Sequence, residues 1–339
     1  MYSLIEELYP ICRSITGNGV RESLRIIARH IALRVSEVPS GTLVFDWTIP
    51  KEWNIRDAYI KDEKGQRIVD FQRSNLHVVN YSTPVHETMT LGQLKPHLHT
   101  LPDHEHWIPY RTSYYKESWG FCLEHARLTG MKDGVYDVCI DSSLESGHLT
   151  YGEALIRGES EEEVFLSSHI CHPSLANDNL SGVCMAVALA NYLKMEPRRY
   201  TYRFVFAPGT IGAITWLARN QETAKRMKYG LILSGVGDAG GISYKRSYGG
   251  HETIDRAVEH LLLNSPGKHH VEDFSPYGYD ERQYGSPGFR LPVGRISRTP
   301  FGTYPEYHTS ADNLDFVQPR SLEETFELLK ELVQVVETN

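Results

Sequence analysis

The chain has 339 residues, 40% of them hydrophobic and 23% charged, which suits a globular protein of one or two domains with a substantial core. The net charge is −8 and no basic stretch alternates with aromatic residues, so nucleic acid is not an expected partner. No apolar run approaches the roughly 20 residues of a membrane span, and acidic residues stand near the N-terminus where a secretion signal has positive charge, so we expect a cytoplasmic protein without a membrane partner.

Helices are predicted first along the chain, and strands follow. Apolar residues at helical spacing predict helices over Ser3–Leu8 and Val20–Val35. From residue 42 onward the sequence becomes aromatic and β-like, with short apolar runs separated by Pro, Gly and Asp turns. We therefore predict a β-rich inserted domain over residues 42–148, within a discontinuous α/β domain formed by residues 1–41 and 149–339.

The segment Val164–Gly182 carries the strongest functional signal. An apolar strand ends at His169, and a turn containing Asp178 precedes an apolar helix over Val183–Leu193. Open α/β sheets place their active sites at the carboxyl ends of strands. Each residue alone has an ordinary alternative, a hydrogen-bonded histidine or a turn aspartate. Together with the distant His308, however, they form a set of imidazoles and a carboxylate that suits zinc.

These motifs resemble the zinc aminopeptidase superfamily, which includes bacterial leucyl aminopeptidases, carboxypeptidases and glutaminyl cyclases. The resemblance is closer, over almost the whole chain, to an aminopeptidase-like family associated with polysaccharide biosynthesis, through ITGNGVR, YYKESWGF, SHICHPSLANDN, APGTIG, DERQYGSPG and EYHTSADNL. It implies an α/β fold with a mixed central sheet flanked by helices and interrupted by a smaller β-rich domain. It also places His169, Asp178 and His308 on metal-ligand positions, with Asp178 at the position that bridges two metals.

Several positions depart from the pattern of that superfamily. Gly209 and Thr210 stand where the superfamily has two glutamates, a general base and a metal ligand. Ser234 stands where a ligand aspartate is expected, and Cys171 replaces the aspartate that would orient the first histidine. One zinc ion, rather than two, is therefore the simpler prediction.

Without the glutamate pair, a general base must come from elsewhere in the chain. The two candidates are Glu281, in the Gly/Tyr/Pro-rich segment Tyr277–Pro287, and Glu306, two residues before His308. We favour Glu281 because an acid on a glycine-framed loop can reach into a cleft. The alternative is that both carboxylates are solvated surface groups.

Candidate substrate-binding residues lie near these positions in the sequence: His172, Asp238, Asp280, Tyr304 and Tyr307. His172 could instead be an additional metal ligand. Each tyrosine could donate a hydrogen bond to an oxyanion or could simply pack.

We predict a zinc-dependent hydrolase, a metallopeptidase or amidase, that cleaves an amide bond in a small peptide or an amino-sugar type substrate. The alternative is a degenerate aminopeptidase-like protein that binds a peptide or glycan intermediate, which the missing glutamates favour. The C-terminal helix predicted over Ser321–Glu337 has an apolar face that fits docking on the sheet or a seam in a homo-oligomer.

Overall fold

The computed structural model describes residues 1–338, which form two main β-sheets and helices around them. The helices are α1 (Tyr2–Leu8), α2 (Asn18–Ile27), α3 (Leu91–Leu94), α4 (His125–Gly130), α5 (Gly182–Leu193), α6 (Ile211–Arg219), α7 (Gln221–Ala224), α8 (Thr253–Asn264), α9 (Glu281–Tyr284) and α10 (Pro319–Thr338). The strands are β1 (Arg34–Pro39), β2 (Leu43–Val44), β3 (Trp47–Thr48), β4 (Glu52–Lys61), β5 (Arg67–Asp70), β6 (Val85–Thr90), β7 (Leu98–His99), β8 (Phe121–Cys122), β9 (Val135–Glu145), β10 (His148–Ile156), β11 (Glu163–His169), β12 (Thr201–Ala207), β13 (Met227–Leu233), β14 (Ile242–Lys245), β15 (His269–Glu272) and β16 (Val293–Ser297).

The larger sheet has eight strands in the order β1-β10-β12-β11-β13-β16-β14-β15. Its four central strands, β12, β11, β13 and β16, are parallel, and antiparallel strands flank them. The prediction of a mixed central sheet flanked by helices is confirmed. Because β11 is central, its carboxyl end opens between neighbouring parallel strands, the usual place for a functional site in such sheets.

The strand β11 is buried on both faces, as expected for a central parallel strand. Val164 and Leu166 pack into one core with residues of α5, α8 and α10. Phe165, on the opposite face, packs against Trp216 of α6 at a ring separation of 5.2 Å. This alternation between two apolar layers fixes which way His169 points at the end of the strand.

The smaller sheet has the antiparallel order β5-β4-β9-β6 and a separate apolar core. All four of its strands lie in the chain between β1 and β10, which pair with each other at the edge of the larger sheet. The domain boundaries at residues 42 and 148 stay a prediction.

The second predicted helix is too long. It was expected over Val20–Val35, but α2 ends at Ile27 and Val35 lies in β1, exposed and opposite Gly152 of β10. Helical spacing of apolar residues continues past Ile27 in the sequence, but pairing with β10 satisfies the backbone hydrogen bonds of residues 34–39 instead.

The helix α10 docks on the larger sheet. Its apolar side chains, Leu329 and Val333 among them, join the same core as α5 and α8. Of the two roles predicted for the apolar face of this helix, the structure shows packing on the sheet, and a homo-oligomer stays a prediction. Within residues 1–338, no helix combines the length and apolar character that crossing a bilayer requires.

Candidate metal centre

The centre of the site is the carboxylate of Asp178, which lies between two imidazoles. Nε2 of His169 is 2.9 Å from Oδ1 of Asp178, and Nε2 of His308 is 3.0 Å from Oδ2. His169 ends β11, and Asp178 lies in the irregular turn 176–181 that leads into α5. The three residues predicted as metal ligands are thus brought together from positions up to 139 residues apart in sequence (308 − 169).

His172 joins this cluster, although its predicted role was a substrate contact. Its Nε2 lies 3.9 Å from Oδ2 of Asp178. Potential ligand atoms of His169, His172 and Asp178 all lie within 4.8 Å of one another. The structure therefore supports the alternative role of His172 as an additional ligand.

The protonation states of the cluster suit metal binding. Burial lowers the pKa of His172 to about 3, so its imidazole is neutral near neutral pH. Burial alone would raise the pKa of Asp178, but its electrostatic interaction with the nearby His172 ring and the hydrogen bonds from His169 and His308 lower this pKa well below its usual range. Imidazole nitrogens and carboxylate oxygens are common zinc ligands, so the donor set fits a zinc ion.

The turn that presents Asp178 is held by a second buried aspartate, Asp312. Its two oxygens accept hydrogen bonds from the backbone N–H groups of Asn177, at 2.6 Å, and Asp178, at 2.9 Å. Burial raises the pKa of Asp312 to about 7. Asn179 completes the support, since its Nδ2 donates to Oγ of Ser168 at 2.9 Å. The position of the central carboxylate therefore depends on a hydrogen-bond network beneath it.

Asp238 lies in this supporting network, and its predicted contact with substrate stays a prediction. It is 1% exposed. Its carboxylate accepts hydrogen bonds from Nδ2 of Asn177 at 3.0 Å and from the N–H of Gly240 at 2.8 Å, and Thr299 donates to it through both its backbone and its hydroxyl. These bonds already use the acceptor capacity of the carboxylate.

His308 is anchored by residues 108–110, which come from the predicted insertion. The backbone N–H of Tyr110 donates to the carbonyl oxygen of His308 at 2.7 Å, and that of Ser310 donates to the carbonyl of Ile108 at 2.8 Å. The Tyr110 ring stands edge-on to the imidazoles of His308, at 5.0 Å, and His172, at 5.2 Å. The backbone of His308 has a φ of +56°, a strained conformation for a non-glycine residue that these contacts help to hold.

The two tyrosines predicted to contact substrate have different surroundings. The Tyr307 ring stacks on His308 with a centroid separation of 4.0 Å, and Tyr307 lines the cleft beside His169. The Tyr304 ring instead stacks on Phe316 at 5.5 Å. Tyr307 therefore lines the cleft, whereas Tyr304 packs between Tyr307 and Phe316, and substrate contact stays a prediction for both tyrosines.

Glu281, the favoured general base, is not on a loop that enters the cleft. It begins α9 and is 0% exposed, with Oε1 lying 3.1 Å from Nζ of Lys245 and 3.3 Å from Nη1 of Arg295. These cations stand on β14 and β16 and draw the carboxylate into a buried ion pair. The expectation that Glu281 reaches into the cleft from a loop is therefore wrong, and its role as general base stays a prediction. Glu306 is half-buried, and its carbonyl oxygen accepts a hydrogen bond from the backbone of Thr309.

The carboxylate that does enter the cleft belongs to Asp280. Its Oδ1 accepts a hydrogen bond of 2.7 Å from the backbone N–H of Thr210, one of the positions at which the resemblance expects a glutamate. Asp280 and His169 line the same cleft, and burial raises the pKa of Asp280 to about 6. At Gly209 a Cβ atom would lie 3.8 Å from the Cβ of His169, so this position also faces the site.

The cleft beside the cluster has a volume of about 380 Å³. Aromatic residues from the β-rich segment and from the loop before α9 form its walls: Trp47, Tyr114, Tyr115 and Tyr279. Tyr279 stacks on His169 with ring centroids 5.1 Å apart. Apolar walls with few polar groups are typical of small-molecule sites.

Sequence reasoning missed three residues that lie at the site: Asp312, Tyr110 and Arg282, the last of which lines the cleft. Asp312 was visible in the motif around His308 as an acid four residues downstream. Arg282 follows Asp280 by two residues, a spacing that could have suggested a polar pair facing one cleft. Tyr110 gave no signal, because its contact with His308 spans 198 residues of sequence (308 − 110).

Relatives of known sequence share the whole length of the chain. The model of a family described as a domain of unknown function (DUF4910) matches residues 2–339. A protein of Clostridium acetobutylicum is 53% identical over 339 residues, covering 100% of this chain and 78% of its own length. Its name assigns it provisionally to polysaccharide biosynthesis and gives it an aminopeptidase-like domain.

Solved structures share the fold. One from Clostridium acetobutylicum, described provisionally as a peptidase, has a TM-score of 0.99 and 53% identity, covering 100% of this chain and 80% of that one. The zinc aminopeptidase BSAP of Bacillus subtilis has a TM-score of 0.71 at 13% identity, covering 99% of this chain and 94% of that one. The predicted resemblance to an aminopeptidase-like family associated with polysaccharide biosynthesis is confirmed by the 53% identical relative. At 13% identity, BSAP shows a shared fold alone.

Proposed function

Because the chain belongs to the DUF4910 family, with the aminopeptidase-like protein of Clostridium acetobutylicum as a close relative, we propose that it is a zinc-dependent hydrolase of amide bonds. The observation that carries the proposal is the Asp178 carboxylate, 0% exposed and held between the imidazoles of His169 and His308 at the end of a cleft. A fully buried carboxylate is costly for folding alone, so a bound cation is the simplest reason for it.

The residues that would hold the ion are His169, Asp178 and His308, with His172 as an additional ligand. When bound, zinc supplies Lewis acidity that polarises an amide carbonyl and makes water acidic enough to lose a proton near neutral pH. We propose one ion. Gly209 and Thr210 bring no carboxylate to the site, and this weakens the case for a second ion.

We assign the general base to Asp280. The backbone N–H of Thr210 donates a hydrogen bond to Oδ1 of Asp280. We assign proton transfer to Oδ2, which accepts a proton from the attacking water and then delivers it to the leaving amine. A carboxylate whose pKa is raised to about 6 is ionised near neutral pH and is a stronger base than an ordinary aspartate. Asp280 would thus replace the acid missing at position 209.

The aromatic walls of the cleft suit a compact substrate with flat or ring-shaped apolar faces. Trp47 and Tyr115 stand edge to face, with ring centroids 5.4 Å apart, at the side formed by the β-rich segment. Such walls pack against sugar rings as well as against peptide side chains. The naming of the relative after polysaccharide biosynthesis favours an amide on an amino sugar over a general peptide.

One observation favours a second candidate, a binding protein without hydrolytic activity. At Gly209 and Thr210 the two acidic positions of the superfamily are lost together, which is the pattern expected when catalysis is no longer needed. This candidate predicts metal binding and ligand binding without turnover.

The decisive experiment measures zinc content by elemental mass spectrometry and then hydrolysis of aminoacyl and N-acyl amides, including N-acetylated amino sugars, with and without chelator. We expect about one zinc per chain and turnover that chelator abolishes and zinc restores. Stoichiometric zinc without turnover of any amide would favour the binding protein. A protein that binds no zinc after reconstitution would refute both the metal centre and the hydrolase.

A further inference from the structure

Two basic residues combine limited solvent exposure with the absence of a close carboxylate. Among residues 1–338, Arg13 and Arg282 are the only lysines or arginines that are not exposed and have no carboxylate oxygen within 4.0 Å. Arg13 is fully buried, and its guanidinium donates to the backbone carbonyls of Leu8, at 2.7 Å, and His172, at 2.9 Å. These bonds give Arg13 a positioning role beneath His172.

Arg282 has no comparable structural role. Its Nη2 lies 3.2 Å from Oγ1 of Thr210, and its Nε lies 3.4 Å from Oε1 of Gln283. Both partners are neutral, the distance to Thr210 is at the upper end of the usual hydrogen-bond range, and the distance to Gln283 exceeds that range. A half-buried guanidinium has lost part of its hydration, and weak neutral partners replace little of it.

The location of Arg282 connects it to the proposed chemistry. It lines the cleft that contains His169 and Asp280, and it also lines an adjoining groove of about 640 Å³. Phe45, Ile214 and Phe289 give that groove apolar walls. A substrate that extends from the cluster into the groove therefore passes the guanidinium.

We propose that Arg282 binds an anionic group of the substrate, a carboxylate or a phosphate, so that the substrate is an amide carrying a negative charge near the scissile bond. The proposal rests on the proposed hydrolase function, whose substrate class it narrows. A guanidinium presents planar paired donors that match carboxylate and phosphate oxygens. An anion would give Arg282 a directly hydrogen-bonded charged partner, whereas its electrostatic interaction with Asp280 acts across more than 4.0 Å. An acidic sugar amide and a phosphorylated amino-sugar amide share this chemistry.

The test compares matched N-acyl amides that differ in one substituent, neutral, carboxylate or phosphate, on the zinc-loaded protein. We expect kcat/KM to be at least about tenfold higher for one of the anionic amides than for the neutral one. In Arg282→Gln this preference should fall about tenfold or more, mainly through a higher KM, and Arg282→Lys should retain part of it because the charge remains. Which anion is preferred distinguishes the carboxylate from the phosphate.

Arg219→Gln is the matched control, because Arg219 is exposed at the end of α6, the helix that follows Thr210. It should keep the wild-type preference. Hydrolysis without a preference for an anion, or a preference that persists in Arg282→Gln, would overturn the role of Arg282 while leaving the hydrolase intact.

If no amide is turned over, the hydrolase itself fails, and binding of anions decides the fate of Arg282. Inorganic phosphate and citrate should then raise the Tm of the wild-type protein and of Arg219→Gln more than that of Arg282→Gln. Equal shifts in all three proteins, or none in any, would exclude an anion site at Arg282.

Discussion

Asp280 and Glu281 are neighbours in the chain, yet their carboxylates have opposite surroundings. Asp280 faces the cleft and accepts one hydrogen bond from a backbone N–H, whereas Glu281 is enclosed by Lys245 and Arg295. The first arrangement leaves a carboxylate beside the substrate space, and the second neutralises a carboxylate inside the protein. One residue therefore suits proton transfer, and the other suits holding α9 against β14 and β16.

Replacing Asp280 with Asn should remove the general base and leave the metal centre in place. We expect kcat to fall about 100-fold or more, the usual contribution of a positioned base, with zinc content unchanged. Steady-state kinetics and elemental analysis of one preparation measure both quantities. Glu306→Gln is the control and should keep wild-type turnover. If Glu306→Gln were the inactive variant, the base would be Glu306 and not Asp280.

Replacing Glu281 with Gln should lower stability with a smaller effect on the chemistry. The amide cannot neutralise Lys245 and Arg295, and removing one partner of a buried ion pair costs about 3 kcal/mol or more. Urea unfolding of the metal-free protein measures the loss. Glu323→Gln, on the exposed face of α10, should change stability by less than about 0.5 kcal/mol. A Glu281→Gln variant as stable as wild type but inactive would restore Glu281 as a catalytic candidate.

At the scale of elements, the proposed metal centre depends on the turn 176–181. It carries Asp178 between β11 and α5, and its backbone is not held by ordinary helical bonds, because Asp178 and Asn179 have non-helical dihedral angles. Asp312, from the loop before α10, supplies the missing acceptors. The turn after β11 and the loop before α10 thus meet at the carboxylate of Asp312.

Replacing Asp312 with Asn should weaken zinc binding without removing a ligand. One carboxylate oxygen becomes an NH₂ group facing a backbone N–H, so the turn must shift and Asp178 moves with it. We expect zinc affinity to fall about 10- to 100-fold, as for other groups that orient metal ligands. Competition with a chromogenic chelator measures it. Asp315→Asn, an exposed neighbour, should bind zinc like wild type, and unchanged affinity in Asp312→Asn would remove that residue from the support of the centre.

The sequence predicted helices and strands correctly where the local apolar periodicity agrees with the tertiary packing. The strand before His169, the helix after Gly182 and the C-terminal helix all have apolar periodicities that local structure and packing satisfy together. The helix after Val20 was overextended because pairing between β1 and β10 is a long-range interaction that a local pattern does not contain. Strand pairing competes with helical spacing, and tertiary contacts decide the outcome.

The candidate site residues show the same contrast between local sequence motifs and long-range contacts. His169, Asp178 and His308 were identified from motifs and lie together. The burial of Asp238 and Glu281 was not predicted, because whether a carboxylate is open to substrate depends on cations and N–H groups brought by distant parts of the chain. The sequence identifies an acidic residue but not the groups that form hydrogen bonds or ion pairs with its carboxylate oxygens.

At the scale of the whole molecule, the site combines remote parts of one chain. Arg13 of the N-terminal region supports the backbone of His172, Tyr110 of the β-rich segment holds His308, and α9 follows directly after Asp280. A ligand bound at this point contacts or orders segments from the N-terminal region, the β-rich segment and the larger sheet. Binding there should therefore stabilise the fold as a unit and not one domain alone.

Zinc should consequently raise the Tm of the whole protein. A ligand that binds only the folded state adds about 2.7 kcal/mol at a free concentration of 100 times its Kd. We expect one unfolding transition that moves up with zinc and returns with chelator, measured by calorimetry on the stripped and reconstituted protein. Asp178→Asn should lose most of the zinc-dependent increase relative to its own metal-free state, because the central ligand is gone, whereas Asp315→Asn should keep it. If Asp178→Asn gained as much as wild type, the stabilising zinc would be bound elsewhere. If only part of the transition moved, the two sheets would unfold independently, and the contacts between Tyr110 and His308 would not couple them.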